Sequence, residues 1–125
     1  MTSRATLTVA GALLALAMLL GALGAHTFAS SLAPDRLQVY RTALEFHFYQ
    51  ALGLIGVGLA LRALAGAVLR AAAAVILAGT VLFCGGLYAL ALGAPHALGV
   101  SAPLGGLALI GGWLLFAFGA WRGAA

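Results

Sequence analysis

Four long apolar runs constrain this chain more than any other feature of its sequence. They cover about residues 5–28, 44–62, 71–93 and 104–121, and charged residues occur only near their ends. A helix needs about 20 mostly apolar residues to cross the hydrocarbon core of a bilayer, which is roughly 30 Å thick. Membrane-spanning β-strands would alternate apolar and polar residues, and these runs are continuously apolar. The sequence therefore predicts an all-α integral membrane protein, a four-helix bundle that forms a single domain over residues 1–125.

The scarcity of charge supports the same interpretation. Only 6% of the residues are charged and 65% are hydrophobic, whereas a soluble domain carries about 25% charged residues. Six arginines give a formal net charge of +4, but they are scattered along the chain and form no basic patch. This distribution argues against a nucleic-acid partner. We expect the lipid bilayer itself to be the principal partner.

A polar stretch separates the first two apolar runs. Pro34 and Asp35 suit the first turn of a helix, because proline has no N–H to leave unpaired there and a carboxylate favours the positive end of the helix dipole. Apolar residues then recur at helical spacing, namely Leu37, Tyr40, Leu44 and Phe48. The pattern predicts a short amphipathic helix at the membrane interface, between spans one and two.

The arginines also indicate an orientation. In a four-span arrangement, Arg36 and Arg41 fall on one side of the membrane, and four arginines fall on the other: Arg4, Arg62, Arg70 and Arg122. Loops rich in Lys and Arg remain in the cytoplasm. We therefore predict that both termini are cytoplasmic.

Glycine is the second unusual feature, with 18 residues, most of them inside the spans. Glycine weakens a helix in water by roughly 1 kcal/mol relative to alanine. In lipid, small residues let helix backbones approach closely, and close approach stabilises association. We predict helix packing at six of these positions: Gly21, Gly56, Gly85, Gly86, Gly105 and Gly106.

Polar side chains at membrane depth concentrate toward the side opposite the termini. The candidates for one layer near the outer interface are His26, Glu45, His47, Gln50 and Tyr88. Two histidines could ligate haem iron or another metal, a Glu/His series could relay protons, and an outward pocket could bind a small amphipathic molecule. The structural alternative is that these groups bond one another and fix the helix ends.

Within this layer, His26 and His47 are expected to face each other across helices one and two. Helices joined by a short connection tend to be antiparallel neighbours, and counting about 1.5 Å per residue from each span's midpoint gives the two histidines similar depths. An imidazole near hydrocarbon also needs a polar partner. We expect a hydrogen-bonded structural pair here rather than a ligand site.

Four segments in order carry a resemblance to a known family. They are GALGAH at 21–26, TALEFHFYQAL at 42–52, FCGGLY at 83–88 and SAPLGG at 101–106, the last followed by Trp113. The chain resembles the YgdD-like family of small inner-membrane proteins, a domain-of-unknown-function family. The resemblance implies a four-helix protein of the bacterial inner membrane and brings no established activity with it.

The sequence contains no nucleophile triad, phosphate-binding loop or zinc-binding motif. We therefore assign no catalytic residue, no metal ligand and no cofactor, and an enzyme is the less favoured class. The favoured prediction is a non-enzymatic accessory or interaction subunit that associates with a second copy or with another membrane protein. The alternative is a ligand-binding or proton-handling protein that uses the outer polar layer, with haem, a metal or a quinone as ligand.

Overall fold

The computed structural model describes residues 1–64 and 66–123. Ala65, Ala124 and Ala125, which the predicted domain 1–125 includes, lie outside these residues. The described part of the chain has four helices long and apolar enough to cross a membrane. They are α1 (Ser3–Ser31), α2 (Pro34–Ala63), α3 (Ala67–Ala91) and α4 (Ser101–Arg122), with a 3₁₀ turn, His96–Val100, leading into α4. The prediction of an all-α, four-helix membrane protein is confirmed.

Local sequence explains where these helices begin and end. The Thr2 side chain accepts a hydrogen bond from the Ala5 N–H at 3.0 Å and caps α1. Pro34 and Asp35 occupy the first turn of α2, as their chemistry predicts. At the end of α4, the Arg122 guanidinium lies in the last turn, 5.6 Å from the centre of the Phe118 ring. A cation is favoured there by the negative end of the helix dipole.

The polar stretch before the second span is helical, but it is not a separate element. Residues from Pro34 onward form the first turns of α2, which continues without interruption to Ala63. The apolar run 44–62 is therefore only part of a helix of 30 residues. The helix extends further than the hydropathy pattern indicates because nothing between Pro34 and the run 44–62 breaks it: the segment has no glycine and no further proline.

One turn of α1 departs from regular α-helix. Gly24–Phe28 forms a π turn between the α-helical part, Ser3–Leu23, and a final turn, Ala29–Ser31. Such wider turns occur mostly as single insertions in α-helices. Gly24 lies against the Tyr40 ring of α2, and a methyl group at Gly24 would approach that ring to 2.8 Å. Glycine at this position lets the two helices meet where the tyrosine crosses between them.

Consecutive helices pack as antiparallel neighbours, and α2 and α3 are the central pair. Contacts between α1 and α2 fix their register from end to end. The Ser3 hydroxyl donates to the Gly58 carbonyl at 2.7 Å. At the other end, the Tyr40 hydroxyl donates to the Leu20 carbonyl. The core between helices uses small and branched apolar side chains: Ala10, Leu54, Val57, Ala73, Ile76 and Leu109.

A glycine seam joins α3 to α4. It consists of Gly79 and Gly86 on α3 and of Gly105, Gly112 and Gly119 on α4, with a spacing of seven residues on each helix. Added methyl groups would overlap the partner helix: a Cβ at Gly79 would lie 3.0 Å from the Leu109 backbone nitrogen. The seven-residue repeat keeps one face of each helix toward its partner, and the absence of side chains lets the backbones touch.

Four arginines share the end of the bundle that carries Met1. Arg4 and Arg62 line one surface pocket, and Arg122 lines another beside the start of α3. The Met1 amino group lies 3.4 Å from the Arg70 carbonyl. The remaining two arginines belong to the first turns of α2 at the opposite end. The charge asymmetry predicted from the sequence is therefore present in three dimensions.

Candidate functional site

His47 of α2 joins three helices. Its side chain is only 2% exposed. The Nε2 atom lies 2.8 Å from the Leu13 carbonyl oxygen of α1, and the Nδ1 atom lies 2.9 Å from the Tyr88 hydroxyl of α3. One imidazole thus bridges α2 to both of its neighbours.

These partners determine how the His47 ring is protonated. A carbonyl oxygen can only accept, so Nε2 carries the hydrogen and donates to Leu13. Nδ1 of the neutral ring then accepts from the Tyr88 hydroxyl. The neutral ring has one lone pair in its plane, on Nδ1, and this lone pair accepts from Tyr88. Neither nitrogen is therefore free to bind haem iron or another metal. In this arrangement His47 fixes the relative positions of the three helices.

A second tyrosine lies beside this group. Tyr40 is fully buried, and its ring packs edge-on against Tyr88 with 5.4 Å between centroids. Phe28, in the π turn of α1, packs against the other side of Tyr40 at 5.2 Å. These rings cover one side of the His47 group. On another side, His47 and Tyr88 line an apolar cavity of about 180 Å³ between α1 and α3.

Gln50 lies one turn after His47 and bonds in a different direction. The indole Nε1–H of Trp113, on α4, donates to Gln50 Oε1 at 2.8 Å. The indole ring lies against Gly53, where a methyl group would approach it to 2.6 Å. Gln50 is 9% exposed. This pair connects α2 to α4, which otherwise packs mainly on α3.

The structure brings together part of the predicted outer layer. His47 and Tyr88 are bonded, and Gln50 lies close by on α2. His26 is exposed in the π turn of α1, and Glu45 is exposed on α2. The Glu45 carboxylate accepts a hydrogen bond from the Tyr49 hydroxyl on the same helix. Of the five predicted side chains, only His47 and Tyr88 are hydrogen-bonded to each other.

The expectation that His26 and His47 face each other is wrong. His47 bonds to Leu13, which lies thirteen residues before His26 and therefore roughly 20 Å from it along α1. The contacts between α1 and α2 set a register in which Ser3 meets Gly58, Leu13 meets His47 and Leu20 meets Tyr40. His26 lies farther along α1 and is therefore level with the first turns of α2, near the end of the bundle. The apolar run 44–62 does not contain this register.

Comparison with known proteins assigns the family. Residues 20–106 match the model of a family described as "Protein of unknown function (DUF423)". The chain belongs to the DUF423 family. It is 40% identical over 101 residues to the UPF0382 membrane protein YwdK of Bacillus subtilis, a match that covers 80% of this chain and 82% of that one. It is 31% identical over 122 residues to the UPF0382 inner membrane protein YgdD of Escherichia coli K12, covering 98% and 93% of the two chains. No solved structure matches.

These matches confirm the resemblance to the YgdD-like family drawn from the four segments. The segments also acquire structural roles here. Gly24 in GALGAH makes room for Tyr40, and TALEFHFYQAL supplies both His47 and Gln50. SAPLGG packs on FCGGLY: a methyl group at Gly86 would approach the Ser101 hydroxyl oxygen to 3.0 Å, and the Ser101 hydroxyl donates to the carbonyl of Leu82, the residue before FCGGLY, at 2.6 Å. The chain is thus a membrane protein of the DUF423 family, and three of the four segments contribute buried residues to the contacts between its helices.

Two of the six predicted packing glycines contact nothing. A methyl group at Gly56 or at Gly85 would meet no atom within 4 Å, and both positions are exposed. Periodicity alone did not show which side of α2 and α3 faces a neighbour. Gly21 and Gly106 make ordinary contacts, with 3.7 Å from a built Cβ to Leu44 and to the Phe83 ring, respectively. Gly86 and Gly105 lie in the seam.

The sequence interpretation missed several residues that matter. Trp113 is the hydrogen-bond partner of Gln50, and a donor-only indole inside an apolar span is itself a signal that a buried acceptor is near. Three seam residues were also missed: Gly79, Gly112 and Gly119. Their seven-residue spacing is visible in the sequence. Within residues 1–64 and 66–123, no group of three or more His, Cys, Asp or Glu side chains gathers to hold a metal ion.

Proposed function

We propose that this protein is a non-enzymatic accessory subunit that binds other membrane helices through the outer face of α1. The observation that carries the proposal is the composition of that face. Thr8, Gly11, Ala15 and Ala22 form an exposed strip along one side of α1, and Met18 and Leu19, which are also exposed, flank this strip. The buried residues of the helix, such as Ala10 and Ala17, lie on the opposite side against α2.

Nothing inside the described bundle explains small residues on this outer face. A methyl group at Gly11 would meet no atom within 4 Å. A lipid-facing helix gains nothing from glycine there, because glycine costs roughly 1 kcal/mol of helix stability relative to alanine. The contact with a partner helix in the membrane would be stabilised by glycine at this position, since small residues permit close backbone approach. The partner is a second copy of this chain or another membrane protein.

The proposal includes an orientation. The cluster of Arg4, Arg62, Arg70 and Arg122 at one end of the bundle supports cytoplasmic termini, because positively charged segments remain on the cytoplasmic side. The π turn and the His96 loop would then face outward.

Photocrosslinking in native membranes tests the proposed face. We would place a photoreactive amino acid at Ala15 in the full chain. In a separate variant it would replace Leu107 of α4, a large apolar side chain that is 67% exposed. Position 15 should give a polypeptide adduct, whereas position 107 should give lipid adducts. The adduct mass distinguishes a second copy of this 12.5 kDa chain from another protein.

A steric pair of variants provides the control. Gly11→Leu should remove the adduct formed at position 15, since its side chain holds the partner away. Gly111→Leu, whose added side chain also enters open space but on α4, should leave the adduct unchanged. Lipid adducts alone at position 15, or an adduct indifferent to Gly11→Leu, would contradict the proposal.

A further inference from the structure

An apolar groove of about 580 Å³ lies between α2 and α4 and opens toward the lipid. Phe46 of α2, Phe83 of α3 and Ile110 of α4 line it. The Phe46 and Phe83 rings pack edge-on with 5.1 Å between centroids. Trp113 and Gln50, which are hydrogen-bonded to each other, also line the groove. The volume is within the range of about 300–1,000 Å³ that small-molecule sites occupy.

Gln50 presents an unsatisfied donor in this groove. Trp113 Nε1–H can only donate, so the Gln50 atom that faces it must be the carbonyl oxygen. The Gln50 amide nitrogen, with its two hydrogens, is thereby directed away from Trp113. No side chain or backbone group of residues 1–64 and 66–123 accepts a hydrogen bond from it. The residue is 9% exposed. Because no fully buried side-chain nitrogen or oxygen of the described residues lacks a partner, the unpaired Gln50 amide nitrogen is accessible at the surface of the groove.

The depth of Gln50 restricts what can accept from it. The residue lies sixteen positions after Pro34 and thirteen before Ala63, roughly 24 Å and 20 Å from the two ends of α2. The hydrocarbon core extends only about 15 Å from its midplane, so Gln50 lies near that midplane. Water and phospholipid ester groups remain near the interfaces. An acceptor for this amide must belong to a molecule that carries a polar atom into the middle of the membrane.

We propose that the groove binds the ring of a lipid-soluble quinone, with one ring carbonyl accepting from the Gln50 amide nitrogen. A quinone has a flat ring, which packs against Phe46, Phe83 and Trp113. It also has carbonyl oxygens that accept hydrogen bonds. Its apolar tail lies along Ile110 in the part of the groove that opens to lipid. The site is distinct from the outer face of α1, and from the His47 pair, whose nitrogens are already bonded.

Tryptophan fluorescence measures the binding directly. The chain has two tryptophans, so a Trp121→Phe variant leaves Trp113 as the only emitter. This protein in phosphatidylcholine nanodiscs would be titrated with decylubiquinone, a quinone that quenches tryptophan on contact. The expected result is saturable quenching of Trp113 above the linear quenching caused by partition into lipid.

Two variants change the groove in different ways. Gln50→Leu removes the donor and should weaken the apparent affinity about tenfold, as loss of one buried hydrogen bond implies. Gly106→Leu keeps Gln50 and Trp113 but fills the groove, and should abolish the saturable phase. Gly111→Leu, in open space on the same helix, is the matched control and should bind like the parent. If Gln50→Leu fails to fold, Gly106→Leu still decides the outcome.

Two competitors test the chemical class. Decylbenzene has the ring and chain without an oxygen, and methyl oleate has an ester carbonyl without a ring. If the groove requires both a ring and a carbonyl oxygen in its ligand, neither competitor should displace decylubiquinone. Displacement by either competitor would overturn the quinone assignment. Linear quenching that is equal in the parent and in Gly106→Leu would overturn the site itself.

Discussion

At the scale of single residues, the buried polar groups act as joints between helices. His47 links α2 to α1 and α3, and Gln50 links α2 to α4, so one turn of α2 is connected to all three other helices. An unpaired polar group in an apolar medium costs free energy. A shift of one helix along its neighbour would break these hydrogen bonds, so each joint favours one register of the helices it connects.

Tyr88→Phe tests the His47 joint. The change removes one hydroxyl, leaves Nδ1 of His47 without a donor, and should lower the free energy of unfolding by about 1 kcal/mol. Tyr49→Phe is the control, because its hydroxyl bonds only to the exposed Glu45. Thermal melting in detergent should show a lower Tm for Tyr88→Phe and the parent's Tm for Tyr49→Phe. Equal melting of the two variants would show that the His47–Tyr88 bond contributes nothing to stability.

At the scale of helices, the glycine seam contrasts with adjacent glycines that do not pack. Gly105 and Gly112 face α3, whereas their neighbours Gly106 and Gly111 face the groove or open space. Two consecutive glycines on α4 therefore occupy opposite environments, twice within one helix. The same residue type is required at one position and replaceable at the next.

Alanine substitutions at these neighbours should have opposite signs. Gly105→Ala would place a methyl group against the Phe83 backbone and should cost about 1–3 kcal/mol. Gly112→Ala, which meets Ile76 at 2.8 Å, should also destabilise. Gly111→Ala should stabilise by up to about 1 kcal/mol, because alanine is the better helix former. Denaturation in mixed micelles measures the change in the free energy of unfolding for all three variants. Changes of the same sign in all three would contradict the assignment of Gly105 and Gly112, but not Gly111, to the seam.

At the scale of the whole molecule, the arginine asymmetry predicts topology. In a Cys84→Ala background the chain has no cysteine, so single cysteines report their own side. His96→Cys should react with a membrane-impermeant maleimide added outside intact cells, and Ala63→Cys should react only after permeabilisation. Both positions are exposed in the structure, so access to the thiol is not limited by packing. The reverse labelling pattern would invert the proposed orientation.

The sequence predicts the number of helices and most of their bounds, because apolar length and Pro34 act locally. It does not predict how the helices align. The pairing of His47 with Leu13 depends on the register between α1 and α2, which a hydropathy pattern does not contain. The deep hydrogen bond of Gln50 to Trp113 joins residues 63 positions apart. Such partners follow from packing in three dimensions, which a periodic pattern does not contain.

The glycine seam also has a mechanical consequence. The backbones of α3 and α4 touch along several turns, so there are few side chains between them that could change rotamer as the helices are pulled apart. The contact should therefore break after only a short separation of the two helices. Under tension applied at the carboxyl end, α3 and α4 should leave the membrane together as one hairpin. The α1–α2 pair, held by side chains such as Tyr40 and Ser3, should follow in a separate step with a longer approach to rupture.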